Sequence, residues 1–135
     1  MQKLQHMRLW LKLSLFNLLI VSLLGVVLRY KIAYSLPFVD QKFLLHAHSH
    51  FAFTGWITQT LMVLMVQNLV ARGIPTAFKQ YNPLLLLNAL SAYGMLLSFP
   101  FQGYGAVSIA FSTLSILVFF AFAYCYTQHL KSLPA

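Results

Sequence analysis

The chain has 135 residues, of which 60% are hydrophobic and only 7% charged, and nine Lys and Arg residues accompany a single acidic residue. A soluble domain carries about 25% charged residues, so this composition excludes a soluble globular domain. In a soluble protein the net charge of +8 would point to nucleic acid, but here the basic residues lie between apolar runs, where they orient a chain in a bilayer. We therefore expect an integral membrane protein surrounded by the lipid bilayer, with no nucleic-acid partner.

Four apolar runs are each long enough to cross a hydrocarbon core of about 30 Å, which takes about 20 helical residues. Asn82-Pro83 is a helix-start signal for the third run. The segment between the last two runs is so short that they must form an antiparallel hairpin. The sequence thus predicts a single all-α domain over residues 1–135, an integral membrane bundle of four transmembrane helices at about residues 9–28, 44–71, 84–101 and 105–126.

The short flanks of these runs carry unequal numbers of basic residues. Six lie on one predicted membrane face and three on the other, which favours a cytoplasmic location for the first face. Both termini are then inside, an N-in/C-in topology, and we expect the chain in a bacterial inner (plasma) membrane. The six are Lys3, Arg8, Lys12, Arg72, Lys79 and Lys131, and the three are Arg29, Lys31 and Lys42.

Three histidines, His46, His48 and His50, lie at alternate positions where the second run begins. At about 100° per helical residue, His46 and His50 share one face and His48 points away from both. One interpretation is a His46/His50 pair that holds a copper or zinc ion. Another is that opposite faces serve two centres, one of them a haem, whose iron takes one histidine on each axial side. A third is a small structural subunit with interfacial histidines. His6 and His129, in the terminal flanks, are expected to be solvated.

The string His46-Ala47-His48-Ser49-His50, followed by Phe53-Thr54-Gly55-Trp56, resembles an early membrane helix of subunit I of haem–copper oxidases and of the related NnrS-type haem–copper membrane proteins. In subunit I, a histidine near the outer end of helix two ligates the low-spin haem. The resemblance implies a haem-binding membrane protein in a respiratory, electron-transfer setting, with a ligand among the three histidines. The other haem and copper ligands of subunit I come from later helices that this chain lacks. We therefore expect that the chain is not an oxidase on its own, and membership of an oxidoreductase complex stays open.

A low-spin haem needs a second axial ligand. Met95 is the candidate within the chain because a thioether is an accepted axial ligand, although methionine in an apolar helix is usually a packing residue. Arg29 lies at the level of the triplet and could pair with haem propionates, or it could simply extend to the interface. Since the chain offers one histidine cluster, we expect a homodimer or a larger membrane complex, with close contact along the small residues of the fourth helix.

Polar and acidic residues narrow the function further. Small polar residues within the second and third predicted spans are expected to form hydrogen bonds between helices. They are Thr54, Thr58, Gln59, Thr60, Asn88, Ser91 and Ser98. Asp40, the single acid, lies in a predicted loop. A cation-coupled transporter generally places carboxylates within its spans, and hydrolytic catalysis needs a general base beside the histidines. The sequence argues against both of these functions.

Overall fold

The computed structural model describes residues 2–132, with side chains from residue 7 onward, and all regular structure in this range is helical. The predicted all-α class is confirmed. The side chains of Lys3 and His6, which entered the sequence predictions, lie outside the described residues. The elements are α1 (Gln2–Ala33), α2 (Gln41–Phe51), a π-helical segment (Ala52–Thr58), α3 (Gln59–Ala71), α4 (Ala77–Gln102) and α5 (Ala106–Ser132).

Among the described residues, three helical stretches are long and apolar enough to cross a bilayer, namely Met7–Ala33, Ala77–Gln102 and Ala106–Ser132. Residues 41–71 are also helical throughout, but the π segment divides them into two shorter α-helices. The fourth span and the N-in/C-in topology therefore stay predictions. Asp40 fixes where this stretch begins, because its side chain accepts a hydrogen bond of 2.8 Å from the backbone N–H of Phe43 as an N-cap.

Helix α4 begins at Ala77, so the predicted start after Asn82-Pro83 was wrong. Ala77, Phe78 and Tyr81 are buried, with exposed fractions of 0%, 6% and 1%. Burying two aromatic side chains contributes about 3–6 kcal/mol, which matches or exceeds the cost of about 3 kcal/mol for a proline inside a helix. The apolar contacts of the added turns therefore decide where the helix begins, and Pro83 is accommodated within it.

Helices that follow one another in the chain pack against one another. Helix α1 contacts residues 41–71, these contact α4, and α4 forms an antiparallel hairpin with α5. The start of α4 is joined to the end of α5 by a hydrogen bond of 2.8 Å between the Tyr81 hydroxyl and His129 Nδ1. His129 is half-buried there, so the expectation that it is a solvated flank residue was wrong.

The π segment is held between two neighbouring helices. A π-helix pairs each carbonyl with an N–H five residues on, which disturbs the regular α-helical hydrogen-bond ladder. Asn17 of α1 donates to the Gly55 carbonyl, and Asn88 of α4 donates to the Thr54 carbonyl at 3.0 Å and to Gln59 Oε1 at 2.7 Å. The three amide side chains are fully buried. The predicted interhelical role of Gln59 and Asn88 is confirmed, and Thr54 contributes its backbone carbonyl. For Thr60 and Ser91 the prediction was wrong, because their hydroxyls donate to carbonyls of their own helical stretches.

Replacing Asn17 or Asn88 with Ala should lower the free energy of unfolding by about 1–2 kcal/mol, because each change leaves a buried carbonyl of the π segment without its donor. Denaturation in a mild detergent, followed by circular dichroism, measures this loss. Asn68→Ala is the matched control, since Asn68 is exposed on α3. Equal stability of the Asn88→Ala and Asn68→Ala variants would contradict the role assigned to the buried amides.

Candidate functional site at the histidine triplet

His46 and His50 lie on one face of α2 and contact the turn between α4 and α5. The His50 ring stacks on Phe99 with centroids 4.6 Å apart, and its Nε2 atom lies 3.3 Å from the Tyr104 hydroxyl. The His46 ring meets the edge of Tyr104 at a centroid separation of 4.6 Å. The geometry predicted for this pair, a shared helical face, is therefore observed, and two aromatic residues cover it.

Phe99 and Tyr104 are site residues that the sequence analysis missed. The signal that could have found them is the predicted hairpin, since the end of the third helix must return to the level where the second begins. Gly103 shapes the turn with φ of 56°. A Cβ atom at Gly103 would collide with the Phe43 ring, so the turn rests directly on the first turn of α2. This contact places Tyr104 beside the histidines.

His48 points to the other side of α2, toward α1. An added Cβ atom on Gly25 would lie 3.5 Å from His48 Cε1, so the imidazole lies against a part of α1 that has no side chain. His48 Nδ1 and His46 Nε2 are buried and have no hydrogen-bond partner among the described residues. A buried polar atom without a partner costs about 1–3 kcal/mol, which makes both nitrogens candidates for binding a ligand.

Because the histidines lie on opposed faces of α2, one ion can contact only some of them. Within the described residues, no group of three or more His, Cys, Asp or Glu side chains is arranged to hold a metal ion. A single ion at the triplet could take His46 and His50 together, or His48 alone. A haem iron needs only one imidazole from this chain on each axial side, so the arrangement is compatible with either class of cofactor.

The structure places the two remaining predicted site residues at different kinds of position. Met95 is fully buried and packs in a cluster with Ala47, Phe99 and Phe111. Because Ala47 lies between His46 and His48 in the sequence, Met95 packs against the segment that carries the histidines. Arg29 is exposed near the end of α1. Ligation by Met95 and propionate pairing by Arg29 stay predictions.

Gly55 lies in the π segment, where the lack of a side chain makes room for a neighbouring group. In the structure the Phe51 ring occupies this space, since a Cβ atom on Gly55 would lie 2.8 Å from Phe51 Cε2. Phe51 in turn packs with Val21 and Ala92 of the neighbouring helices. Gly55 therefore makes room for Phe51 of the same helical stretch, and Phe51 in turn packs against α1 and α4.

Replacing Gly103 with Ala should destabilise the turn that carries Tyr104 by about 1–3 kcal/mol, because a side chain is strained at this positive φ and would collide with Phe43. Gly73→Ala is the matched control, since Gly73 has φ of 100° but no neighbouring atom within 4 Å of an added Cβ. Thermal unfolding of both variants in mild detergent compares them. A Gly103→Ala variant that is no less stable than Gly73→Ala would contradict the contact with Phe43.

No protein-family model, curated protein or solved structure matches this chain. The resemblance to haem–copper oxidase subunit I stays a prediction, and its most specific part covers residues 44–56. The function of the chain must therefore be argued from the geometry of the triplet and from the membrane character of the helices.

Proposed function

We propose that the chain is a haem-binding membrane protein in a respiratory, electron-transfer setting, with His48 as an axial ligand. The observation that carries this proposal is the isolation of His48 from the other two histidines. Its ring lies beside Gly25, and its Nδ1 atom is buried with no hydrogen-bond partner among the described residues. His46 and His50, by contrast, are packed against Phe99 and Tyr104.

The surroundings of His48 suit a flat, anionic cofactor. Gly25 lets the His48 imidazole pack directly against the backbone of α1, and Arg29 lies one helical turn further along the same face of α1. A guanidinium in that position can pair with propionate groups at the edge of a macrocycle. Bound haem would supply a one-electron redox centre, while this chain would supply an axial imidazole, a cation for the propionates and an apolar wall.

The proposal adds a fourth membrane span and an orientation in the membrane to the three apolar helices. Residues 41–71 act as the fourth span, with both termini on the cytoplasmic side of a bacterial inner membrane. Support for the orientation comes from the basic residues Arg8, Lys12, Arg72, Lys79 and Lys131, which lie near the helix ends that share one face of the bundle. The histidine triplet then lies toward the opposite face.

A copper or zinc site is the second candidate, because His46 and His50 share a face and both contact Tyr104. His46 Nε2 is buried without a partner among the described residues, while His50 Nε2 is beside the Tyr104 hydroxyl. An ion between the two rings would therefore displace the His50–Tyr104 contact. In this case the protein would bind a copper or zinc ion and would show no haem spectrum.

The spectrum of the purified chain distinguishes the candidates. After reconstitution with haem in mild detergent, we expect a Soret band typical of low-spin haem that is lost in His48→Ala and retained in His46→Ala and His50→Ala, because only the first variant lacks the proposed ligand. Equal, partial losses in all three variants would contradict the assignment. Copper or zinc found by elemental analysis, without a Soret band and sensitive to His46→Ala, would support the second candidate.

The assembly should contain more than one polypeptide, because a low-spin haem needs two axial ligands and this chain offers His48 on that face. We expect native mass measurement in detergent to show a homodimer, or a complex with further membrane helices, whenever six-coordinate haem is bound. The exposed apolar surfaces of α1 and α5 leave room for such a partner. A strictly monomeric chain with six-coordinate haem would overturn this expectation, and loss of that spectrum in Met95→Leu would identify Met95 as the second ligand.

A further inference from the structure

An apolar groove of about 460 Å³ opens between α3 and α5, in the part of the bundle remote from the histidine triplet. Leu61, Leu64 and Met65 of α3 form one wall, and Tyr126 and Leu130 of α5 form the other. Leu61 and Leu64 are about half exposed, at 54% and 49%. The groove is therefore accessible from the surface of the bundle, and its volume lies in the range of about 300–1,000 Å³ typical of small-molecule sites.

One end of the groove is polar and cationic. Arg72 and Asn68 complete its lining, and they lie one helical turn apart, with the Arg72 backbone N–H donating to the Asn68 carbonyl at 3.0 Å. Lys131, in the last turn of α5, directly follows Leu130 and adds a second cation at this end. The groove thus changes along its length from hydrocarbon walls to hydrogen-bond donors with positive charge.

The single acidic side chain in the sequence lies far from Arg72. Asp40 is the single Asp or Glu of the chain, and it caps the start of α2. Arg72 follows it by 32 residues, which are helical from residue 41 to residue 71. At about 1.5 Å per residue this separates the two by about 48 Å. No acidic side chain of this polypeptide can therefore neutralise Arg72, and an anion from the surroundings is the complementary partner.

The length of the groove identifies the kind of anion. Leu61 and Arg72 are 11 residues apart, which is about 16 Å along a helix. This is about half of a hydrocarbon core of about 30 Å, or the depth of one leaflet. An acyl chain of this length with an anionic headgroup at the level of Arg72 matches one leaflet of an anionic phospholipid.

We propose that this groove binds an anionic glycerophospholipid, with one acyl chain between α3 and α5 and the phosphate at Arg72. An arginine can donate two N–H groups to phosphate oxygens, and the Asn68 amide can add a third donor. Lys131 contributes attraction for a headgroup whose net charge is negative. The proposal rests on residues 41–71 crossing the bilayer and is independent of haem.

Native mass spectrometry of the full chain tests the site, with dioleoylphosphatidylglycerol or dioleoylphosphatidylcholine titrated into delipidated protein. We expect tighter binding of the anionic lipid, and a loss of about fivefold in its affinity in Arg72→Gln, the amount that corresponds to removing one interfacial cation. Arg72→Lys should retain most of the preference because it keeps the charge. Lys79→Gln is the matched control, since Lys79 is exposed near the same membrane face but does not line the groove.

A second pair of variants tests the acyl-chain position. Leu64→Trp should fill the groove and lower the affinity for the anionic lipid, whereas Leu97→Trp, at an exposed position of α4 outside the groove, should leave it unchanged. Equal binding of the two lipids, or unchanged affinity in both Arg72→Gln and Leu64→Trp, would overturn the proposal. A dimer that forms without lipid and is lost in Leu64→Trp would also overturn it, because a second copy would then cover the groove.

Discussion

The interior of this bundle must satisfy the backbone polar groups of its π segment without water. Asn17 and Asn88 do this from two different helices, α1 and α4, by donating to the Gly55 and Thr54 carbonyls. Asn17 is itself held by the Tyr93 hydroxyl, which donates to its side-chain oxygen at 2.6 Å. In a dry environment an unpaired polar group is costly, so these contacts fix how α1, residues 41–71 and α4 lie against one another.

The position of the histidine triplet follows from this constraint. The π segment begins at Ala52, two residues after His50. Its wider turns change the direction of the side chains before it relative to those after it. Helix α3 can therefore direct Met62 and Val66 into the main core, while α2 presents His46 and His50 to the aromatic turn. π-Helical segments are frequent at functional sites because they direct side chains in this way.

The two ends of the bundle differ in chemistry. The end with the histidines is closed by Tyr104 and Phe99 and contains imidazole nitrogens without partners among the described residues. The end with Arg72 collects basic residues around an open groove. Helices α1 and α5 expose many large apolar side chains between these ends, which is the surface expected of helices in contact with lipid or with another membrane helix.

Composition and hydropathy by themselves determined the all-helical class, the membrane character and the approximate helix positions, because long apolar runs with few charges have one stable form in a bilayer. The spacing of His46, His48 and His50 also determined which rings share a face, since local helix geometry sets it. Tertiary structure decided the rest. The start of α4 at Ala77 depends on the burial of Phe78 and Tyr81, the π segment on donors that are distant in sequence, and the pairing of His50 with Tyr104 on the turn at Gly103. These features arise from contacts between helices, which periodicity along one helix does not encode.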